Sequence, residues 1–513
     1  NVLLHEYFVE NKNHYRYVSA TYTNDILNIM AQQVLLNIIN SIKEAGIFSI
    51  LVDETQDLSR HEQVSFIIRF VDDSFQIHEQ FLGFYKTSHT DSETLANLIK
   101  KVLSDSGLDI QNLRGQCYDG AAAMRGSYTG VQARIREENP IALYVHCYAH
   151  ILNLCLVDLS KQVSYVRNTF GTLQSLYSFV GASSKRNAVF ESVYLASTQH
   201  NGPKKLKSLS ETRWSCRAEA LKAVLLNFST LINTLEEISE NNINSGAEAT
   251  SLIGNIQNFE FVFCLIILQE IMEHTNVLSK YLQSINISYI TVIEMCEQTV
   301  DILKDMRTDT EFHKRWIQVI KVTGENNIEP PKLSRKRRIP QKYGGGENGP
   351  QNVPENQLQI LNGLKNLIIN DNFEENMLTL VCNTYKLDMQ PLKNELNIFN
   401  RMFASKYPNI SGESNIFKKK SEYIANHDIR SGFPLTYTIF KTFLTIPTNT
   451  ASCERSFSCL RRLKTYLRTT MGQERLSSLS LLQIEKNQQI DEEKVIDEFN
   501  SSVSVSGRRL ALA

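Results

Sequence analysis

Apolar positions near the start of the chain recur at helical spacing. Ile26, Ile29, Met30, Val34, Leu35, Ile38 and Ile39 follow Asp25, a candidate cap, so residues 1–45 read as a helical segment. The period then shortens. Residues 48–52 (FSILV) form an apolar run ending in Asp53, the pattern of a buried central strand. Residues 64–71 (VSFIIRFV) are β-branched and aromatic, and residues 76–85 end in Phe81, Leu82, Phe84 and Tyr85. Asp72-Asp73-Ser74 between them is turn chemistry, and the three runs predict an antiparallel meander. A helix capped by Thr90 or Asp91 follows, with Leu95, Leu98, Ile99, Val102 and Leu103 on its apolar face. Residues 113–118 predict a fourth strand closed by Asp119-Gly120. Residues 121–138 predict a helix interrupted near 126–130, and 142–146 a fifth strand before helical spacing resumes at 147–159.

From 160 to 325 only helical periodicity is found. Residues 329–357 break the chain with prolines and glycines and read as a linker or exposed loop. The basic run at 335–338 inside it reads either as a solvated loop or as a nuclear-localisation or DNA-contact segment. Helical spacing returns over 357–446 and again over 450–500, ahead of a Ser-rich tail.

A length of 513 residues accommodates two or three domains. The chain begins with Asn1 rather than Met and is read as a fragment, with an upstream domain expected before it. Its 54 basic and 55 acidic residues exclude binding of nucleic acid by a uniform positive field and leave local basic patches open. Nine scattered cysteines without a CxxC pair give no zinc-ribbon signature and favour a reducing compartment. The greasiest stretch, FVFCLIIL at 261–268, is too short to span a membrane, and the start of the chain has no signal-peptide pattern. A cytosolic or nuclear protein with no membrane partner is expected.

Asp53 ends a buried strand within LVDETQD, and Asp119 closes another before Gly120, which lets the chain bend sharply. Taken singly, each also reads as a turn or cap residue. Together, on neighbouring strands, they form a pair of oxygen ligands of the kind that hard divalent ions bind in two-metal phosphoryl-transfer sites. The element order is that of the RNase H fold, in which these two strand positions carry acids and a later helix supplies a third.

Five motifs make the chain similar to the hAT superfamily of DNA transposases and their domesticated derivatives. They are LVDETQD (51–57), CYDGAAAMRG (117–126), HCYAHILNL (146–154), ETRWSCR (211–217) and TNTASCERSFSCLRRLKTYLR (448–468). The last resembles the family's C-terminal dimerisation region, with Cys453 in place of a serine. Within the superfamily the chain looks closest to the group fused to MYM-type and THAP-type zinc fingers. The resemblance implies an α/β RNase-H-like core, a mixed five-stranded sheet with flanking helices, interrupted by a large all-α insertion. The implied layout is a core at 46–160, an insertion at 161–445, the core's return with the dimerisation region at 446–500, and a tail at 501–513. Glu454 falls on the third acid, so Asp53, Asp119 and Glu454 are implied to be catalytic and to bind Mg²⁺ or Mn²⁺.

Trp214 reads as a core aromatic or, by resemblance, as the residue that stacks on a displaced base, with Arg213 on phosphate. Arg455, Arg461 and Arg462, with Lys464 and Arg468, make a local basic cluster that reads as a solvated helix face or a DNA contact. Glu454 near a helix start also suits the helix dipole alone. Cys147 and His150, three apart on a helix, are too few for a zinc site and are read as active-site support. The apolar residues of 476–484 (LSSLSLLQI) exceed what one solvent-facing helix needs and are expected in a dimer interface. The partners so implied are DNA, as transposon ends or genomic sites, and further copies of the chain, in the nucleus. The alternative is a domesticated, non-catalytic nuclear protein that binds DNA, dimerises and regulates.

Overall fold

A computed structural model describes residues 20–181, 183–197, 202–207, 214–241, 245–284, 287–331, 355–465 and 468–503. The basic run at 335–338 and the Ser-rich tail lie outside them.

Three antiparallel strands, β1 (Phe48–Gln56), β2 (Glu62–Val71) and β3 (Ile77–Thr87), form the meander, and β4 (Leu113–Tyr118) and β5 (Leu143–His146) add in parallel. The order β3-β2-β1-β4-β5 is that of an RNase-H-like sheet. Nearly every residue of β2 is buried, which its VSFIIRFV run requires. Asp72 closes the β2–β3 turn by accepting from Ser74 N and Gln76 N, both at 2.9 Å. β1 runs three residues past Asp53, further than its apolar run predicts. Its antiparallel ladder with β2 continues to Gln56↔Glu62 after the parallel ladder with β4 has stopped at Leu51↔Cys117, so the polar residues keep a hydrogen-bonded partner.

Helices α1 (Ala20–Ala45), α2 (Ser92–Asp105), α3 (Ala122–Arg125) and α4 (Val131–Glu138) accompany the sheet along the chain. Asp91 is the cap of α2, accepting from Glu93 N and Thr94 N. A second set runs α5 (Tyr148–Gln162), α6 (Ser164–Leu176), α7 (Ser184–Ala196), α8 (Trp214–Leu226), α9 (Phe228–Asn241), α10 (Gly246–Ile256), α11 (Phe259–Leu282), α12 (Tyr289–Asp305) and α13 (Asp309–Glu325). The last set is α14 (Glu355–Ile369), α15 (Glu375–Tyr385), α16 (Met389–Lys406), α17 (Glu413–Ile424), α18 (His427–Arg430), α19 (Pro434–Thr445), α20 (Ala451–Leu463), α21 (Gln473–Ile484) and α22 (Glu492–Val503).

The chain divides into two compact units. One comprises Asn1–Cys147, Ile285–Ile290 and Val353–Ala513; the other comprises Tyr148–Ser284 and Thr291–Asn352. Residues 353–445, which the sequence reading put in the insertion, therefore belong with the sheet. Helix α19 packs on β2 and β4, and Gln357 of α14 accepts from Tyr144 N of β5 at 2.5 Å, closing that edge.

Part of the apolar surface of α21 is used within the chain, while Leu479, Leu482 and Ile484 stay partly exposed. Leu476 and Leu481 are buried against α1 and β3 of the same chain. Asn28 of α1 joins this contact by donating to Glu474 and accepting from Ser478, both at 2.8 Å.

The second unit is all-helical around α11. By length and composition this helix could cross a membrane, although no uninterrupted apolar run in it is that long. Val262, Leu265 and Met272 sit in the unit's core, and Glu270 accepts from Arg315 of α13 at 2.6 Å.

Candidate active site

Leu51 pairs with Cys117 at the last rung of the parallel ladder, with Asp53 two residues further along β1 and Asp119 just past the end of β4. Paired residues share a face and alternate residues return to it, which places Ser49, Leu51, Asp53, Gly115 and Cys117 on one side of the sheet. Asp53 is buried and its Oδ1 accepts from Glu54 N at 2.9 Å.

Asp119 is fixed by its own turn, with Oδ1 accepting from Ala121 N at 2.9 Å. Gly120 follows with φ +81, and a Cβ there would lie 2.1 Å from Nε2 of His146. That same nitrogen is 2.9 Å from the Asp119 carbonyl oxygen. Glycine is thus the residue that lets β4 turn against His146.

Helix α20, which carries Glu454 in its first turn, packs on β1 and β2. The segment that precedes it crosses β4 at Gly115, where a Cβ would meet Pro447 Cδ at 2.6 Å. Thr450 N then donates to Cys147 Sγ at 3.3 Å, and Cys147 N donates to Tyr118 O at 3.0 Å. Asn449 performs the capping, with Oδ1 accepting from Ala451 N at 2.9 Å. Further along, Ser456 Oγ lies 2.7 Å from Ser65 Oγ, and Ser65 is the cross-strand partner of Asp53. Helix α20 therefore lies over the Asp53 face, with Phe457 and Leu460 on its buried side.

Charge is concentrated here. Burial first, then Asp119 and Glu62, push the Glu54 carboxyl up to about 7. Its Oε2 is buried without a hydrogen-bond partner. Burial, then Asp53, hold the Cys453 thiol well above its usual range.

The three acids offer carboxylate oxygens, the donor type that Mg²⁺ and Mn²⁺ take. The residues fit a divalent cation in donor type and charge. Among the described residues, however, no three His, Cys, Asp or Glu side chains converge closely enough to hold an ion as they stand.

The other expected residues separate. Cys147 precedes α5 rather than lying on it, so it and His150 do not share a helix face. Cys147 closes the first unit and His150 belongs to the second. Arg213 lies outside the described residues. Trp214 opens α8, and its side chain lies outside them. Arg461 and Arg462 are exposed on the last turn of α20. Arg455 turns toward the sheet, hydrogen-bonded to Ser452 and 3.8 Å from Glu79.

Lys464 is not in the outward basic cluster at all: it is buried and 2.6 Å from Asp57 Oδ2. Sequence reasoning also missed Arg69 and Glu79, a buried pair 2.8 Å apart inside an apolar strand run. Arg69 additionally donates to Leu444 O and Ile287 O, and Ser452 donates to Glu79. A lone arginine within VSFIIRFV was the available signal, since a charge in such a run must find a partner.

Comparison with known proteins gives two family matches. Residues 3–130 match a family described as the ZMYM1/FAM200 RNase-like domain, and residues 423–488 match the hAT family C-terminal dimerisation region. The mouse protein named 52 kDa repressor of the inhibitor of the protein kinase is 25% identical, across 94% of this chain and 68% of its own length. Its human counterpart is 24% identical, across 94% and 67%.

Proposed function

We propose that this hAT-related chain is the body of a DNA transposase, cutting and joining strands by metal-dependent phosphoryl transfer at Asp53, Asp119 and Glu454. The reading is supported by Asp53 and Asp119 following the last paired rung of β1 and β4, and by α20 packing over the Asp53 face through Ser456 and Ser65. These three carboxylates would hold Mg²⁺ or Mn²⁺, which when bound stabilises the attacking and leaving oxygens of an in-line displacement.

The chain's own residues prepare the site. The Glu54 amide orients Asp53, the Asp119–Ala121 turn aims Asp119, and Cys147 ties the end of β4 to the start of α20. Glu54, the next residue of β1, has a carboxyl pushed up to about 7 by burial and then by Asp119 and Glu62. Arg461 and Arg462 are available to DNA phosphates, with Arg213 in the same role and Trp214 stacking on a displaced base. The dimerisation region points to a homodimer or higher oligomer, and the nucleus is the proposed site of action.

A second reading has its own support, because the mouse and human relatives are named as repressors. A domesticated descendant would keep the fold for DNA binding and dimerisation and regulate without cutting.

Incubating the purified chain with Mg²⁺ or Mn²⁺ and the element's own terminal repeats separates the two. The transposase reading expects cleavage that Asp119→Ala and Glu454→Gln each reduce at least a hundredfold. No cleavage, or cleavage indifferent to both changes, favours the regulatory reading.

A further inference from the structure

Asp57 lies four residues beyond Asp53, in the turn that ends β1, and its side chain is fully buried. It accepts from Lys464 Nζ at 2.6 Å, from Gln63 Nε2 at 3.0 Å and from the backbone amides of Ser59 and His61. Burial works against its charge, and these hydrogen bonds, that from Lys464 foremost, outweigh it and keep the carboxyl below its usual range. Lys464 caps the far end of α20, the helix that bears Glu454.

The spans match. From Asp53 to Asp57 an extended strand advances about 13 Å. From Ser456, which sits over Asp53's cross-strand partner, to Lys464 a helix advances about 12 Å. Helix α20 therefore runs alongside β1 in the same direction, fastened at its end by the buried Asp57–Lys464 pair. Near its start it is held by Ser452 on Glu79, and then by Ser456 on Ser65.

We propose that Asp57 and Lys464 are positioning residues, a buried ionic lock that sets the lengthwise register of α20 against β1 and so places Glu454 beside Asp53. The proposal rests on the active-site reading above. The lock touches neither DNA nor the reacting atoms. Losing it shifts the register of Glu454, together with Arg461 and Arg462 on the last turn of the same helix.

Removing one partner strands a buried charge and unfolds the locality. The test therefore removes both charges, as Asp57→Asn with Lys464→Met, so that an amide oxygen still accepts from the Ser59 and His61 amides. Hydrogen exchange of the α20 amides, melting temperature and DNA-cleavage kinetics are measured on the full chain with Mn²⁺. The lock predicts an unchanged melting temperature within a few degrees and at least tenfold faster exchange over Phe457 to Leu463. It also predicts a kcat, read at saturating DNA, reduced at least tenfold. Lys464→Arg, which keeps the charge, should retain most of kcat. Wild-type exchange in the double variant, or lost protection with kcat intact, overturns the lock. Absence of cleavage by the wild type sinks the active-site reading instead.

Discussion

A Cβ at Gly120 would overlap the His146 ring, and the backbone there has φ +81. Gly120→Ala should cost roughly 2–3 kcal/mol, about 1–2 from the left-handed backbone and the rest from the ring contact. It should also weaken Mn²⁺ binding by moving Asp119, and denaturant titration beside calorimetry checks both. Asp73 offers a pH signature away from the site. Its carboxyl is held at about 2, mainly by Arg430, with Tyr437 and Lys441 adding to it. A folded value below the unfolded one means that this stabilisation is complete above about pH 4 and is lost as pH falls through 2. Asp73 is half exposed, so solvent screening limits it to about 1 kcal/mol. Asp73→Asn should destabilise by that amount at pH 7 and by progressively less as pH falls from about 4 through 2, as melting curves across that range will show. Asp53 and Asp119 were legible as acids closing apolar strands. Glu54 and Glu79 were not, because whether a strand carboxylate is buried depends on what covers the sheet.

Helices were legible as helices, and their faces as faces, but not the core each face joins. Periodicity in 357–446 says only that one side is apolar. That this side meets the sheet follows from long-range packing, such as Arg69 donating to Leu444 O and Gln357 sealing β5. Of the surplus apolar residues of α21, Leu476 and Leu481 are covered by α1 and β3, α1 coming from more than 400 residues away in the chain, and Leu479, Leu482 and Ile484 are left partly exposed. Lys464 shows the converse error, in which a basic residue in a basic cluster turns inward to an acid that only the fold supplies. Lys420 is another inward lysine. It donates to Ile368 O at 3.1 Å at the end of α14, to Asn400 Oδ1 at 2.9 Å and to Asp371 at 3.0 Å. Lys420→Met strips these acceptors and should destabilise the sheet unit by about 3 kcal/mol. Urea unfolding measures it, and Lys420→Arg should not rescue a site this tight.

Across the whole chain, the sheet unit is assembled from three separated stretches, and a helical unit occupies most of the gap between the second acid and the third. Strand order follows from the sequence pattern and the rules of sheet topology. The placing of α20 does not: it depends on Gly115 letting the chain cross β4, on Cys147 receiving Thr450, and on Ser456 meeting Ser65. The account's central claim is that Asp53, Asp119 and Glu454 act as one cation site. Calorimetric titration of the full chain with Mn²⁺ tests it most directly, against Asp53→Asn, Asp119→Asn and Glu454→Gln. The account predicts saturable binding by the wild type and at least a tenfold loss of affinity in each variant, with melting temperatures preserved. Wild-type affinity in the Glu454→Gln protein, or no saturable binding by the wild type, would contradict it.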